Sequence, residues 1–248
     1  MQQLLTGKKR LPGFGGAVNN EQLIINNSQV PEGYQQTEVG VIPEDWDELR
    51  LDEIVSIIDG DRGSNYPSDS DFYSDGYCLF LSARNVTKEG FRFSECSFIT
   101  EEKDSLLRKG KLLRHDIVLT TRGTVGNLAF FENSISYENI RINSGMVILR
   151  NENQSMENAF LYLTLNSNIV QTQIERSVFG SAQPQLTVKG IGGFKIPLPS
   201  SAEEQQAIAK VLSDIDTEIT ALETRRTKTQ AIKQGMMQEL LTGRIRLL

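Results

Sequence analysis

Histidine and cysteine are nearly missing from this 248-residue sequence. The single histidine, His115, excludes a multi-histidine metal site and leaves little room for Ser-His-Asp chemistry. Two cysteines, Cys78 and Cys96, make neither a disulfide framework nor a zinc set. A reducing, cytoplasmic compartment is the expectation. No run of 18 apolar residues is present, so no membrane span is expected. The opening Met1–Arg10 does not read as a signal peptide. A G-x-x-x-x-G-K-[ST] phosphate loop, a G-x-S-x-G elbow and an H-E-x-x-H pair are all absent. Gly13-Phe14-Gly15-Gly16 follows no strand, and Glu101-Glu102-Lys103 lacks the preceding Pro-Asp of a nuclease site. The chain is therefore expected to be non-catalytic and to bind no metal or cofactor.

Positive charge is scarce overall: 26 Lys and Arg against 32 Asp and Glu leave a net charge of −6. Taken alone, this argues weakly against nucleic acid as a partner. The distribution says more. Asp45 to Gly76 holds two basic residues against ten acidic, whereas Lys103 to Arg122 holds six basic against two acidic. An acidic chain can still carry a local basic face.

What is present begins with a repeat. Met1-Gln-Gln-Leu-Leu-Thr-Gly-Lys-Lys-Arg-Leu11 aligns with Met237-Gln-Glu-Leu-Leu-Thr-Gly-Arg-Ile-Arg-Leu247, identical at eight of eleven positions. The chain reads as one unit of a longer two-unit design, with residues 1–11 the end of a preceding long helix. Residues 12–43 are rich in Gly, Pro and Asn and read as a linker, with Glu21–Ile25 a short ordered piece. Residues 44–199 read as one α+β domain, large enough for its own core. Its core is mainly β, with strands at Tyr77–Leu81, Phe91–Phe93, Ile117–Thr121, Leu128–Phe131, Met146–Leu149 and Lys195–Pro199. One or two helices fall within Asn158–Arg176.

The last element, 200–243, is the clearest, and 244–248 is a tail. Ser201 and Glu204 form a capping box, in which the hydroxyl takes a helix N–H and the Glu reaches back. Apolar residues then recur at Ile208, Leu212, Ile215, Ile219 and Leu222, and the register continues through Arg226, Thr229 and Lys233 to Met236 and Leu240. This is the seam of a coiled coil with a polar middle. Forty residues of helix span roughly 60 Å, and such a stripe asks for another helix.

The domain also carries polar, basic loops between strands: Asp61–Tyr66, Ser82–Lys88, Thr120–Asn127 and Gly180–Gln185. Arg can pair with guanine edges and Asn or Gln with adenine edges. Ser, Thr and backbone N–H groups can hold phosphates.

At this point the sequence resembles the specificity (DNA-recognition) subunits of type I restriction–modification enzymes. The resemblance rests on Thr37-Glu-Val-Gly-Val-Ile-Pro-Glu-Asp-Trp46, Leu51-Asp-Glu-Ile54, Leu81-Ser-Ala-Arg-Asn85 and His115-Asp-Ile-Val-Leu-Thr-Thr-Arg-Gly-Thr-Val-Gly126. It continues through Gly180-Ser-Ala-Gln-Pro-Gln-Leu-Thr187, Ile196-Pro-Leu-Pro199, Glu204-Gln-Gln-Ala-Ile208 and Leu240-Leu-Thr-Gly-Arg244. The family implies target-recognition domains held apart by antiparallel long helices, each reading half of a split site on double-stranded DNA. It also implies methyltransferase subunits that use S-adenosylmethionine, and a motor-nuclease subunit that uses ATP and Mg²⁺.

This sequence has one recognition domain and one full helix where the usual subunit has two. It is therefore expected to form a two-fold homodimer through Ile208, Leu212, Ile215, Ile219, Leu222, Arg226, Met236 and Leu240, and to read an interrupted palindrome. The alternatives are pairing with a different half-subunit, or a non-DNA assembly scaffold. Expected base readers are Arg62, Asn65, Tyr66, Arg84, Asn85, Lys88 and Arg92. Expected DNA-backbone contacts are Thr121, Arg122, Thr124, Gln183 and Lys189.

Overall fold

The computed structural model describes residues 1–15, 30–178 and 184–244. The expected piece at Glu21–Ile25 and the candidate Gln183 lie outside the described residues.

The chain opens with one helical turn, α1 (Gln2–Leu5). An antiparallel hairpin follows, β1 (Tyr34–Thr37) with β2 (Gly40–Pro43). This hairpin corrects part of the linker reading. Its ends carry apolar side chains, Tyr34 and Ile42, which are buried. Next come β3 (Trp46–Arg50), a 3-10 turn at Leu51–Glu53 and β4 (Val55–Asp59). Then follow β5 (Cys78–Leu81), β6 (Val86–Thr87), β7 (Gly90–Phe91), β8 (Phe98–Ile99) and α2 (Glu101–Leu106). The chain continues through β9 (Ile117–Thr120), β10 (Leu128–Phe130), β11 (Ile140–Ile142) and β12 (Met146–Asn151). Helices α3 (Asn158–Leu165), α4 (Asn168–Val178) and α5 (Val188–Gly192) precede β13 (Lys195–Pro199) and the long helix α6 (Ala202–Leu241).

The central sheet runs β10-β9-β12-β4, all antiparallel. β9 and β12 read as unbroken apolar runs because this sheet is covered on both faces. Period-two alternation sends Ile117, Leu119, Val147 and Leu149 to one core, with Trp46, Leu51 and Phe160. Val118, Met146 and Ile148 go to a second core, with Leu79, Phe131 and Ile140. There a smaller sheet, β11-β5-β8, supplies the facing layer, with β11 and β5 parallel. β13 closes on β3 across the full length of the chain's folded part, pairing Ile196 with Leu49 and Pro199 with Trp46. The architecture is α+β: a β-rich core, small helices and one long C-terminal helix.

Only the first turns of α6 pack on the domain. Ile208, Ala209 and Leu212 are buried with α3 against the first core. The seam reading is corrected in part: Ile208 and Leu212 are used within the chain, because α3 packs against this end of α6 and both join the first core. From Ser213 to Gln238 every residue is exposed. Ile215, Ile219, Leu222, Met236 and Met237 stand open on that length, joined by Ile232, which the strict +4/+3 alternation passes over. Charge on the same stretch is segregated: Asp214, Asp216, Glu218 and Glu223 come first, then Arg225, Arg226, Lys228 and Lys233.

Half of the expected capping box forms. Ser201 Oγ accepts from the Glu204 N–H at 3.3 Å. The Glu204 carboxylate does not reach back. It is buried and accepts from Arg10 Nη2 at 2.7 Å and Trp46 Nε1 at 3.3 Å.

Candidate nucleic-acid interface

Two of the polar loops meet on one turn, and the described end of a third joins through one of them. Between β11 and β12 the chain reverses at Asn143-Ser144-Gly145, where Gly145 O accepts the N–H groups of Thr121 at 2.8 Å and Arg122 at 3.2 Å. Ser144 O accepts from Arg62 Nη2 at 3.1 Å, and the Ser144 N–H donates to the Tyr66 hydroxyl at 3.4 Å. Thr121 O accepts from the Leu186 N–H at 3.0 Å, and Arg122 bridges antiparallel to Gln185. Backbone pairing of this kind fixes loops that carry no regular structure of their own.

Gly60 is what lets the first loop approach. A Cβ there would lie 2.2 Å from Asn143 O and 2.7 Å from Asn143 C, both backbone atoms. Gly60→Ala should therefore destabilise the domain by about 1–3 kcal/mol through overpacking, measured as a lower melting midpoint. An unchanged midpoint would show that the two loops do not touch.

A fourth segment joins the same edge. Asp61 accepts from the Gly63 N–H at 2.7 Å and, on its other oxygen, from the Arg108 N–H at 2.7 Å. These backbone bonds hold its carboxyl below the usual aspartate range. Asn65 Nδ2 donates to Leu106 O at 3.3 Å. Arg108 and Lys109 thereby stand next to the Arg62 loop, both exposed.

The pairing pattern separates structural cations from available ones. Within the basic run, Lys103 pairs with Asp71 at 3.0 Å, Lys111 with Asp104 at 2.6 Å and Arg114 with Glu138 at 2.8 Å. Arg108, Lys109 and Arg122 have no carboxylate partner among the described residues. Among the described residues, the one carboxylate that Arg62 meets is Asp59, at 3.2 Å. The edge thus presents four cations on loops tied together by backbone bonds, on a chain that is acidic overall.

The remaining candidates distribute as follows. Arg84 is exposed and pairs with Glu95 at 2.8 Å, an arrangement that leaves the guanidinium at the surface. Arg92 is exposed just after β7, where its carbonyl accepts from Asn85. Lys88 sits on the β6–β7 turn beside Gly126 and Gln171, and Asn127 Nδ2 ties that hairpin to the neighbouring loop through Val86 O at 3.0 Å. Thr124 is exposed. Lys189 is exposed and shares a shallow groove with Arg50 and Arg176.

Three expectations need correction. Asn85 is 2% exposed. Its Oδ1 accepts from the Ser82 N–H, and its Nδ2 donates to Arg92 O and Glu95 O, so its amide is spent holding the loop. Thr121 is buried and contributes backbone only. Tyr66 is half-buried, with its ring edge-on to Phe80 at 5.8 Å, so only its hydroxyl faces the turn.

Sequence reasoning passed over Arg108 and Lys109 as individual contacts, and also Asn143 and Ser144. The basic run from Lys103 to Arg122 held the first two, but not which of its members would be neutralised.

The isolated reactive groups have structural explanations. Cys78 is fully buried, and burial, with Asp104 nearby, pushes its thiol up to about 12. His115 occupies a turn at φ 73°, where its N–H donates to Phe131 O at 2.9 Å. Among the described residues no three His, Cys, Asp or Glu side chains gather as a metal site, and no helix is long and apolar enough to cross a membrane.

Comparison with known proteins bears on this geometry. The family described as the type I restriction modification DNA specificity domain matches residues 43–234. The MjaVIII specificity subunit of a type I restriction enzyme from Methanocaldococcus jannaschii is 29% identical over 224 residues, which is 87% of this chain and 50% of that protein. Among solved structures, a chain from a study of assembly and conformational transition in the type I R-M system aligns with a TM-score of 0.62 at 22% identity, over 81% of this chain and 46% of that one. The HsdS subunit from Thermoanaerobacter tengcongensis aligns with a TM-score of 0.56 at 20% identity, over 84% and 47%. The structural likenesses speak to the fold. The chain spans about half the length of the curated relatives it matches.

Proposed function

Because this chain belongs to the type I restriction modification DNA specificity domain family, we propose that it is a non-catalytic reader of one half of a split DNA site. Catalysis then lies on partners: methyltransferase subunits carrying S-adenosylmethionine and a motor-nuclease subunit using ATP and Mg²⁺. The observation that carries the reading is the edge built on Asn143–Gly145, where Arg62, Arg108, Lys109 and Arg122 converge with few carboxylates to neutralise them. Cations on rigid, backbone-tied loops suit duplex DNA, where phosphate contacts position and guanidinium groups read guanine edges.

The reading includes a two-fold homodimer through α6. The exposed stripe from Ile215 to Met236 is uncovered by the chain itself. Charge segregation favours an antiparallel self-pair, which lays the acidic Asp214–Glu223 stretch of one helix along the basic Arg225–Lys233 stretch of the other. Two identical readers so related would recognise an interrupted palindrome.

The test is reconstitution with methyltransferase subunits and mapping of methylated sites across random DNA. A symmetric, interrupted motif is the expected result. Methylation without sequence preference would remove the reader role, and an asymmetric motif would remove the homodimer. In the same assembly, Arg62→Ala or Arg122→Ala should cost about 1–3 kcal/mol and relax one position if the residue reads a base. If it contacts phosphate, affinity should fall uniformly and the salt slope should drop by about one. An unchanged motif, affinity and salt slope would exclude that residue from the interface.

A further inference from the structure

We infer that Met1–Leu11 is one of two interchangeable occupants of a groove at the foot of the domain, the other being Met237–Leu247 of a second copy of this chain. The groove is formed by the β2–β3 corner and the first turn of α6. Leu5 is 0% exposed in it, and Leu4 is buried beside it. Gly7, at φ +66°, passes so close that a Cβ would sit 2.4 Å from Pro43 Cδ. Tyr34 donates its hydroxyl to Gly7 O at 3.3 Å. Arg10 locks the end: its two Nη atoms donate to Asp45 at 2.9 and 3.0 Å, Nη2 also reaches Glu204 at 2.7 Å, and the guanidinium lies 5.6 Å from the Trp46 ring centroid.

The C-terminal copy keeps every one of these anchors, as Leu240, Leu241, Gly243 and Arg246. The three differences, Gln3 against Glu239, Lys8 against Arg244 and Lys9 against Ile245, replace residues that are exposed or half-exposed in the seated segment. Substitution has been confined to positions the groove does not enclose.

The backbone is also already in the seated shape. Thr6 Oγ1 donates to Gln2 O at 2.8 Å, and Thr242 Oγ1 donates to Gln238 O at 2.7 Å. Gly7 N–H donates to Leu4 O at 3.2 Å, and Gly243 N–H donates to Leu240 O at 3.2 Å, with Gly243 at φ +71°. Two copies of one helix ending therefore exist in the chain, one filled and one unfilled. Leu5 is enclosed, whereas its counterpart Leu241 is 83% exposed.

Position supplies the partner. In an antiparallel pair of α6 helices, the last turn of one arrives beside the first turn of the other. That first turn carries Glu204, the acceptor for Arg10. The partner's Arg246 would come to the same carboxylate. Within one copy, Met1–Leu11 holds the groove with the advantage of a high effective concentration. Pairing of the helices gives the partner's ending a comparable advantage, so the two compete. The cross-chain geometry rests on the homodimer proposed above, whereas the groove's preference for this sequence does not.

The experiment uses the full chain and a fluorescent peptide of residues 237–248, followed by anisotropy. The peptide should bind a Leu5→Asp chain, whose own segment is unseated, at least tenfold more tightly than the unaltered chain. A peptide carrying Leu241→Asp should bind neither. Equal binding to both chains, or to neither, overturns the proposal. Should Leu5→Asp abolish the cooperative melt, a second measurement decides on the otherwise unaltered chain, with a benzophenone side chain in place of Leu241. Photocrosslinks to Pro43–Trp46 of another copy support the exchange, and crosslinks confined to α6, or none, overturn it. A chain that passes this test yet fails to direct methylation keeps the groove and loses the reader role, and the converse result separates them the other way.

Discussion

Replacing Arg141 with methionine should lower the stability of the domain by about 3–5 kcal/mol, because it strips one of two cations from a buried aspartate and leaves buried carbonyls without their donor. Arg141 and Asp104 are 5% and 4% exposed. Arg141 donates Nε to Asp104 Oδ1 and Nη1 to Lys109 O at 2.7 Å. Its Nη2 donates to Asp104 O at 2.8 Å and Leu107 O at 3.1 Å. It therefore satisfies the carbonyls that α2 leaves open at its end, and fixes the loop that presents Arg108 and Lys109. The loss corresponds to a melting midpoint roughly 6–20 °C lower.

Asp104→Leu with Arg141→Met should lose less than the sum of the single changes, since no unpaired buried charge remains. Acid should act on the same site. Burial pushes the Asp104 carboxyl up, but the bonds from Lys111 and Arg141 outweigh it and hold the group below its ordinary value. A carboxylate whose folded value is lowered stabilises the fold above the unfolded range, near pH 4, and that contribution fades as pH falls toward the folded value. The single variants should accordingly show a flatter acid limb in thermal melts than the unaltered chain. A parallel limb would assign the acid sensitivity elsewhere.

The second large effect belongs to the free length of α6. Ile215→Asp, Ile219→Asp and Leu222→Asp together should weaken self-association on the order of a thousandfold, about 4 kcal/mol. In the single chain these side chains are 45%, 48% and 55% exposed, so the fold of one copy should be untouched. Sedimentation over a concentration series measures the loss, and the melt of the dilute chain provides the control.

Charge reversal tests the orientation. Arg225→Glu, Arg226→Glu and Lys228→Glu should weaken the pair, and adding Asp214→Lys, Asp216→Lys and Glu218→Lys should restore it. Failure of the combined set to restore association would exclude the antiparallel alignment.

Much of the plan was legible because it is periodic. β5, β9, β12 and β13 are short apolar runs bounded by turn residues, and such runs are local signals. The long helix announced itself through its seam and the absence of proline. β6, β8, β11 and α5 were not legible, because two or three residues of strand carry no period. Their pairing is decided by what lies opposite, as when β11 lines up parallel to β5. The candidate edge was half legible. Loop composition pointed to Arg62, Asn65 and Arg122, yet Asn85 sits in the same kind of polar tract and is spent inside it.

By itself, the sequence determined the longer strands β5, β9, β12 and β13, the long helix with its apolar stripe, the repeat at the two ends and the family resemblance. Each of these is written in spacing or identity along the chain. Tertiary structure alone decided which cations are neutralised, where the α6 seam stops being internal, and that Leu5 is enclosed while Leu241 is open. Those outcomes depend on which distant groups meet across the fold. Lys111 and Arg108 belong to one basic run, but only Lys111 finds Asp104 within reach. Leu5 and Leu241 carry the same local sequence, and only Leu5 joins the core that holds Trp46, with Gly7 set against Pro43 beside it.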